Sequence, residues 1–128
     1  MQTVQHSFRV MTYDIDFAGI VSNISYIRWL EDLRNLFAEQ ALSIGDALQR
    51  GIVPALMRTE IDYLTPVRFP DIVTGRMWLA EHSRIKWELA AEFQSQANEK
   101  LVARARQVGV FVVLATLRPV RLPEEFRE

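Results

Sequence analysis

The chain comprises 128 residues, 49% of them hydrophobic and 24% charged, which is the composition of one globular domain and not of a disordered or fibrous segment. It has no cysteine, which excludes a disulfide framework, a thiolate nucleophile and a Cys-type zinc site, and fits a reducing compartment. With 15 basic residues against 16 acidic ones, the formal charge of −1 provides no field to hold DNA or an anionic membrane.

The opening stretch MQTVQHSFRV lacks an apolar run of signal-peptide length, and no later segment approaches the roughly 20 apolar residues of a membrane span. A soluble cytoplasmic protein is therefore expected. No linker, repeat or low-complexity tract divides residues 1–128, so a single domain is predicted.

Gln5 to Tyr13 reads as extended. From about Ile24 to Ala41, Tyr26, Trp29, Leu30, Leu33, Leu36 and Phe37 recur at helical spacing, which predicts a long amphipathic helix. On its polar face Arg28 and Asp32 stand four apart, as a surface pair would. Asp46 to Arg50 forms a short helical turn that stops at Gly51.

Beyond Gly51 the period becomes two. Met57 to Leu64 predicts a strand with one wet face, Pro66 and Pro70 bracket a turn, and Asp71 to His82 predicts a second strand. Ile85 to Gln96 gives a third, with Ile85, Trp87, Leu89, Ala91 and Phe93 facing in. After a turn at Ala97 to Glu99 the fourth strand runs from Leu101 to Leu117, and a shift of apolar parity suggests a bulge at Gly109. These elements make an α+β layer pair, one antiparallel sheet with one long helix on its apolar face.

Candidate chemistry lies between the first strand and the helix, in Tyr13-Asp14-Ile15-Asp16-Phe17-Ala18-Gly19-Ile20-Val21-Ser22-Asn23. Structurally, Asp14 and Asp16 cap a loop, Gly19 supplies a positive φ, and Ser22 or Asn23 is the helix N-cap. A calcium loop is excluded because the ligand pattern stops after Asp16.

The stretch D-I-D-F-A-G-I-V-S-N-I-S-Y-I-R-W-L-E-D-L-R, Asp14 to Arg34, resembles the signature of hotdog-fold acyl-CoA thioesterases of the 4-hydroxybenzoyl-CoA thioesterase type. The likeness continues through Gly51-Ile52-Val53, Glu60-Ile61-Asp62-Tyr63, Pro66 and the strand repeat. It implies an antiparallel sheet wrapped around one long central helix, and a homodimer or homotetramer with active sites at subunit interfaces.

The resemblance further implies hydrolysis of a small, medium-chain or aromatic acyl-CoA without a cofactor or metal. Asp16 would be nucleophile or general base, Asp14 and Gly19 would support it, and backbone amides around Asn23 would meet the carbonyl oxygen, as helix starts favour. Some bacterial relatives carry His at the position of Asn23, so the Asn departs from their pattern. Another hotdog branch places a carboxylate on the helix, which makes Glu31 a second candidate, the alternative being a surface acid. Arg84 and Lys86 resemble the family's basic cluster for coenzyme A phosphates, with Arg58, Arg104 and Arg106 as weaker candidates. Phe17, Tyr26 and Trp29 either line an acyl pocket or belong to the core. A non-catalytic acyl-CoA-binding protein of the same fold is the alternative function. A hotdog dehydratase is disfavoured because the His and acid pair it uses is not visible.

Overall fold

The computed structural model describes residues 2–127. The elements are β1 (Val4–Arg9), α1 (Asn23–Glu39), α2 (Ile44–Gln49), β2 (Ile52–Tyr63), β3 (Ile72–His82), β4 (Lys86–Ser95), β5 (Leu101–Val113) and β6 (Pro119–Val120). All strands pair antiparallel in one sheet, ordered β1-β3-β4-β5-β2. The short β6 pairs with Phe111 and Val112 of β5, beyond Val110, where β4 ends at Lys86. Strand β6 is the two-residue return of a tight hairpin over residues 114–117, too short to show a period of its own.

The sheet buries one face against α1. Leu30, Leu33 and Phe37 of the helix are almost fully buried, as are Val73, Met77 and Phe93 of the sheet. Trp29 stacks on Phe8 at 5.2 Å between ring centroids, and Tyr26 meets Phe93 edge-on at 5.4 Å. Truncating a core side chain such as Leu33 removes about 2–5 kcal/mol, from lost transfer energy and the cavity left behind.

Several boundaries differ from the sequence expectation. The first strand ends at Arg9, and Thr12–Asp14 forms a 3-10 turn where extended chain was predicted. Its cause is the Asp14 carboxylate, which accepts the Met11 amide at 2.8 Å and closes the turn. Helix α1 stops at Glu39, two residues short of Ala41. Helix α2 begins at Ile44 because the Ser43 hydroxyl caps it by accepting the Asp46 amide. Arg28 and Asp32 form no ion pair, and Arg34 approaches Glu31 at 3.9 Å instead.

Strand β2 starts five residues before the predicted Met57 and runs through Pro54. It is an edge strand, so the proline costs no ladder bond on its open side. Both of its faces are largely exposed from Leu56 to Glu60, and the expected alternation fails there. Ile85, expected to face in, is exposed in the β3–β4 hairpin, whereas Trp87, Leu89, Ala91 and Phe93 do face in. At the other end, β5 stops at Val113 and not at Leu117.

The parity shift at Gly109 has another cause than a bulge in its own strand. The register passes from Leu56↔Gly109 to Arg58↔Val108, so the extra residue is Met57, on β2. Gly109 itself lies under the Trp87 indole, where an added Cβ would come within 2.2 Å of Cζ2 and 2.5 Å of the Ala55 carbonyl. Gly109→Ala must therefore displace the ring or part the strands, and is expected to lower stability by about 1–3 kcal/mol. A drop in the urea midpoint at unchanged slope would register it; an unchanged midpoint would show that the ring moves freely.

Candidate active site

Burial separates the two loop carboxylates. Asp14 is 4% exposed. Its Oδ2 accepts the Met11 amide, its Oδ1 accepts the Ser25 hydroxyl at 3.0 Å, and its backbone carbonyl accepts the Ser22 amide at 2.8 Å. One residue thus ties the 3-10 turn to the first turn of α1, and no carboxylate oxygen is left over.

Asp16 is exposed, on a tight loop closed by the Ile15↔Val21 bridge. Its amide donates to the Ile20 carbonyl, and its carbonyl accepts the Gly19 amide at 3.0 Å. Gly19 has φ +74, which an L side chain rarely adopts. Only Oδ1 is engaged, accepting the amides of Ala18 at 2.8 Å and Ile20 at 3.2 Å. Oδ2 has no partner among the described residues. The carboxylate is thereby oriented with one oxygen held and the other available, the arrangement needed to attack a carbonyl or take a proton from water.

The loop is clamped to the body of the protein. Val21 donates to the Val67 carbonyl and Phe69 to the Gly19 carbonyl, beside the Ile20↔Arg68 bridge. Helix α1 then starts without a side-chain cap. Ser22 holds the N-cap position and Asn23 is the first helical residue, so Asn23 is not the cap. Its side chain is exposed and makes no hydrogen bond among the described residues. The amides of Asn23 and Ile24 likewise find no acceptor there, which leaves two donors and the positive end of the helix dipole free.

A cleft of about 190 Å³ opens beside this helix start, lined by Val21, Asn23, Tyr26, Tyr63, Thr65 and Val67 among others. The Tyr63 hydroxyl donates to the Asn23 carbonyl at 3.4 Å. Tyr26 belongs to the aromatic core as well as to the cleft wall. Burial first, then Tyr63 and Asp71, push its hydroxyl up to about 12, so it remains protonated at neutral pH. The sequence marks Tyr63 only as part of the Glu60-Ile61-Asp62-Tyr63 likeness and not as a site residue, because its contact with Asn23 spans 40 positions of the chain.

The other candidates are not gathered here. Phe17 is fully exposed at the loop tip and lines no part of the cleft. Glu31 is exposed, eight residues beyond Asn23, about 12 Å along the helix axis. Arg84 and Lys86 sit at the β3–β4 hairpin, whereas the loop adjoins the opposite end of β3. The length of β3 separates them, roughly 33 Å by strand rise. Arg104 and Arg106 are engaged with Asp62 at 3.4 Å and Glu88 at 3.2 Å, and Arg58 with Glu60.

A family model, described as the thioesterase-like superfamily, matches residues 10–128. The chain belongs to that superfamily. Its hotdog fold is shared with solved structures of low identity. One is a Staphylococcus aureus protein in complex with CoA, 17% identical, with a TM-score of 0.90 over 98% of this chain and 80% of that one. A second is a 1,4-dihydroxy-2-naphthoyl-CoA thioesterase from Synechocystis, 20% identical, TM-score 0.88, covering 98% and 93%. The third is a 4-hydroxybenzoyl-CoA thioesterase mutant complexed with 4-hydroxybenzoyl-CoA, 23% identical, TM-score 0.88, covering 99% and 97%. No curated protein matches the sequence. Among the described residues of this thioesterase-superfamily chain, no helix is long and apolar enough to cross a membrane.

Proposed function

We propose that residues 1–128 form one catalytic domain that hydrolyses an acyl-CoA thioester to the free acid and coenzyme A. The observation that carries this reading is the Asp16 carboxylate, held by one oxygen on a loop whose anchor, Asp14, also ties down the helix start with its free amides. Neighbours of the same fold that act on or bind CoA compounds lend support.

In the general-base route Asp16 takes a proton from water as the oxygen bonds to the thioester carbon. The carbonyl electrons move to oxygen, where the Asn23 and Ile24 amides meet them. Collapse expels the thiolate of coenzyme A, which takes the proton from Asp16. In the nucleophilic route Asp16 itself bonds to that carbon and the thiolate leaves; water then opens the mixed anhydride and restores the carboxylate. A panel of small, medium-chain and aromatic acyl-CoAs, followed by free-thiol release, tests the reading. Ligand bound without turnover on any member would replace it with an acyl-CoA-binding function.

A second copy completes the site in this reading. The loop tip exposes Phe17, the β2 edge exposes Leu56 and Met57, and Arg84 and Lys86 can serve the phosphates only from another protomer. Sedimentation equilibrium at micromolar concentration is expected to give a mass at least twice 14.8 kDa. A species of 14.8 kDa alone would remove the shared site.

A further inference from the structure

Tyr63 reaches from the end of β2 to the start of α1, its hydroxyl donating to the Asn23 carbonyl at 3.4 Å. That carbonyl is one half of a peptide unit whose other half is the Ile24 N–H, an amide without an acceptor among the described residues. A carbonyl carries two lone pairs, so it takes the hydroxyl beside the intrahelical bond that the first turn of α1 provides. The last residue of β2 thus holds the acceptor end of a peptide whose donor end is free.

The surroundings fix that hydroxyl. Its ring meets Tyr26 edge-on at 5.5 Å between centroids, and Tyr26 in turn meets Trp29 edge-on at 5.1 Å. Where the chain leaves β2, the Leu64 and Thr65 amides both donate to the Val102 carbonyl, at 2.9 and 3.2 Å. Partial burial holds the hydroxyl's pKa above its ordinary value of 10.0, so at neutral pH it stays a protonated donor.

Hydrogen bonds in series polarise one another: a donor at the carbonyl draws electrons through the amide and leaves its N–H a stronger donor. The gain is greatest when negative charge builds on the oxygen that the N–H meets, which happens in the transition state and not in the bound thioester. A hydroxyl bond of 3.4 Å is long, and such bonds in a free enzyme often tighten only as the transition state forms. We infer that Tyr63 is a positioning residue, whose hydroxyl aims and polarises the Asn23–Ile24 peptide so that the Ile24 N–H meets the developing oxyanion. The role in turnover rests on the thioesterase reading; the polarised peptide does not.

Tyr63→Phe keeps the ring and removes the donor. It is expected to lower kcat about three- to tenfold, the worth of one weak hydrogen bond, and to leave KM and the binding of an inert thioether analogue near wild type. In the nitrogen-15-labelled chain without substrate, the same change should move the Ile24 amide resonance to lower frequency. Replacing Tyr63 by 3-fluorotyrosine, more acidic and so a stronger donor, should move both readouts the other way at a pH where it remains protonated; a purely structural ring is indifferent to the phenol's acidity. An unchanged kcat in Tyr63→Phe, or a loss that falls on KM alone, overturns the positioning role. An unmoved Ile24 resonance overturns the polarised peptide. Absence of hydrolysis by the wild type on every thioester would instead sink the functional reading, with the Ile24 resonance still deciding whether the hydroxyl polarises the peptide.

Discussion

Asp16→Asn is expected to lower turnover by a factor of about 100 to 10,000 while binding of an inert thioether analogue stays near wild type. The amide preserves shape, and its carbonyl oxygen can still accept the Ala18 and Ile20 amides, so the loop should keep its fold. What disappears is the free carboxylate oxygen, which an amide replaces with neither a base nor a competent nucleophile. The paired control is Asp14→Asn. There the buried carboxylate has both oxygens engaged, by Met11 and Ser25. An amide keeps the Met11 bond on its oxygen, and its NH2 can donate to the Ser25 hydroxyl, which then donates to the Asp14 backbone carbonyl alone. Exchanging charge-assisted bonds for neutral ones should lower stability by about 1 kcal/mol, with a smaller loss of turnover. Wild-type turnover in Asp16→Asn would end the mechanism proposed here and make Glu31 the next carboxylate to replace.

Asn23→Pro is expected to cut kcat by about 100- to 1,000-fold, the usual cost of removing one donor to a developing oxyanion, with the fold retained. Proline suits the first helical position because no intrahelical bond is lost there. The preceding residue accommodates it too, since Ser22 has φ −73 and ψ 153, which a residue before proline prefers. Asn23→Ala separates backbone from side chain. Because the Asn23 side chain caps nothing, the alanine variant should keep both its stability and most of its turnover. Circular dichroism and steady-state kinetics on the two variants check this. If the alanine variant loses as much turnover as the proline variant, the side chain and not the amide meets the substrate.

What could be read in advance depended on how local its cause was. Helix α1 and the inward face of β4 repeat apolar residues with their own period over many positions, so they were legible. Strand β2 was half legible, because an exposed edge imposes no alternation and Pro54 argues against a strand. Around Gly109 the parity shift marked the right level of the sheet, yet the extra residue belongs to the facing strand, which only pairing can reveal. The division of labour between Asp14 and Asp16 depends on burial and on Ser25, one turn into the helix. Sequence spacing put both carboxylates in the loop, and the contacts assign one to structure. The distance between the loop and Arg84 was invisible, since it follows from the length and direction of β3.

The contacts of Asp14 have a mechanical consequence. By gripping Met11 on one side and Ser22 and Ser25 on the other, it mounts the reactive loop and the head of the helix on a single bracket. Asp16 and the Asn23 amide thus stand on either side of one bonded unit, so a displacement of that unit is expected to move both together. In the proposed dimer, a partner seated on the exposed Phe17 tip would load this bracket as one piece, leaving the alignment of its parts unchanged.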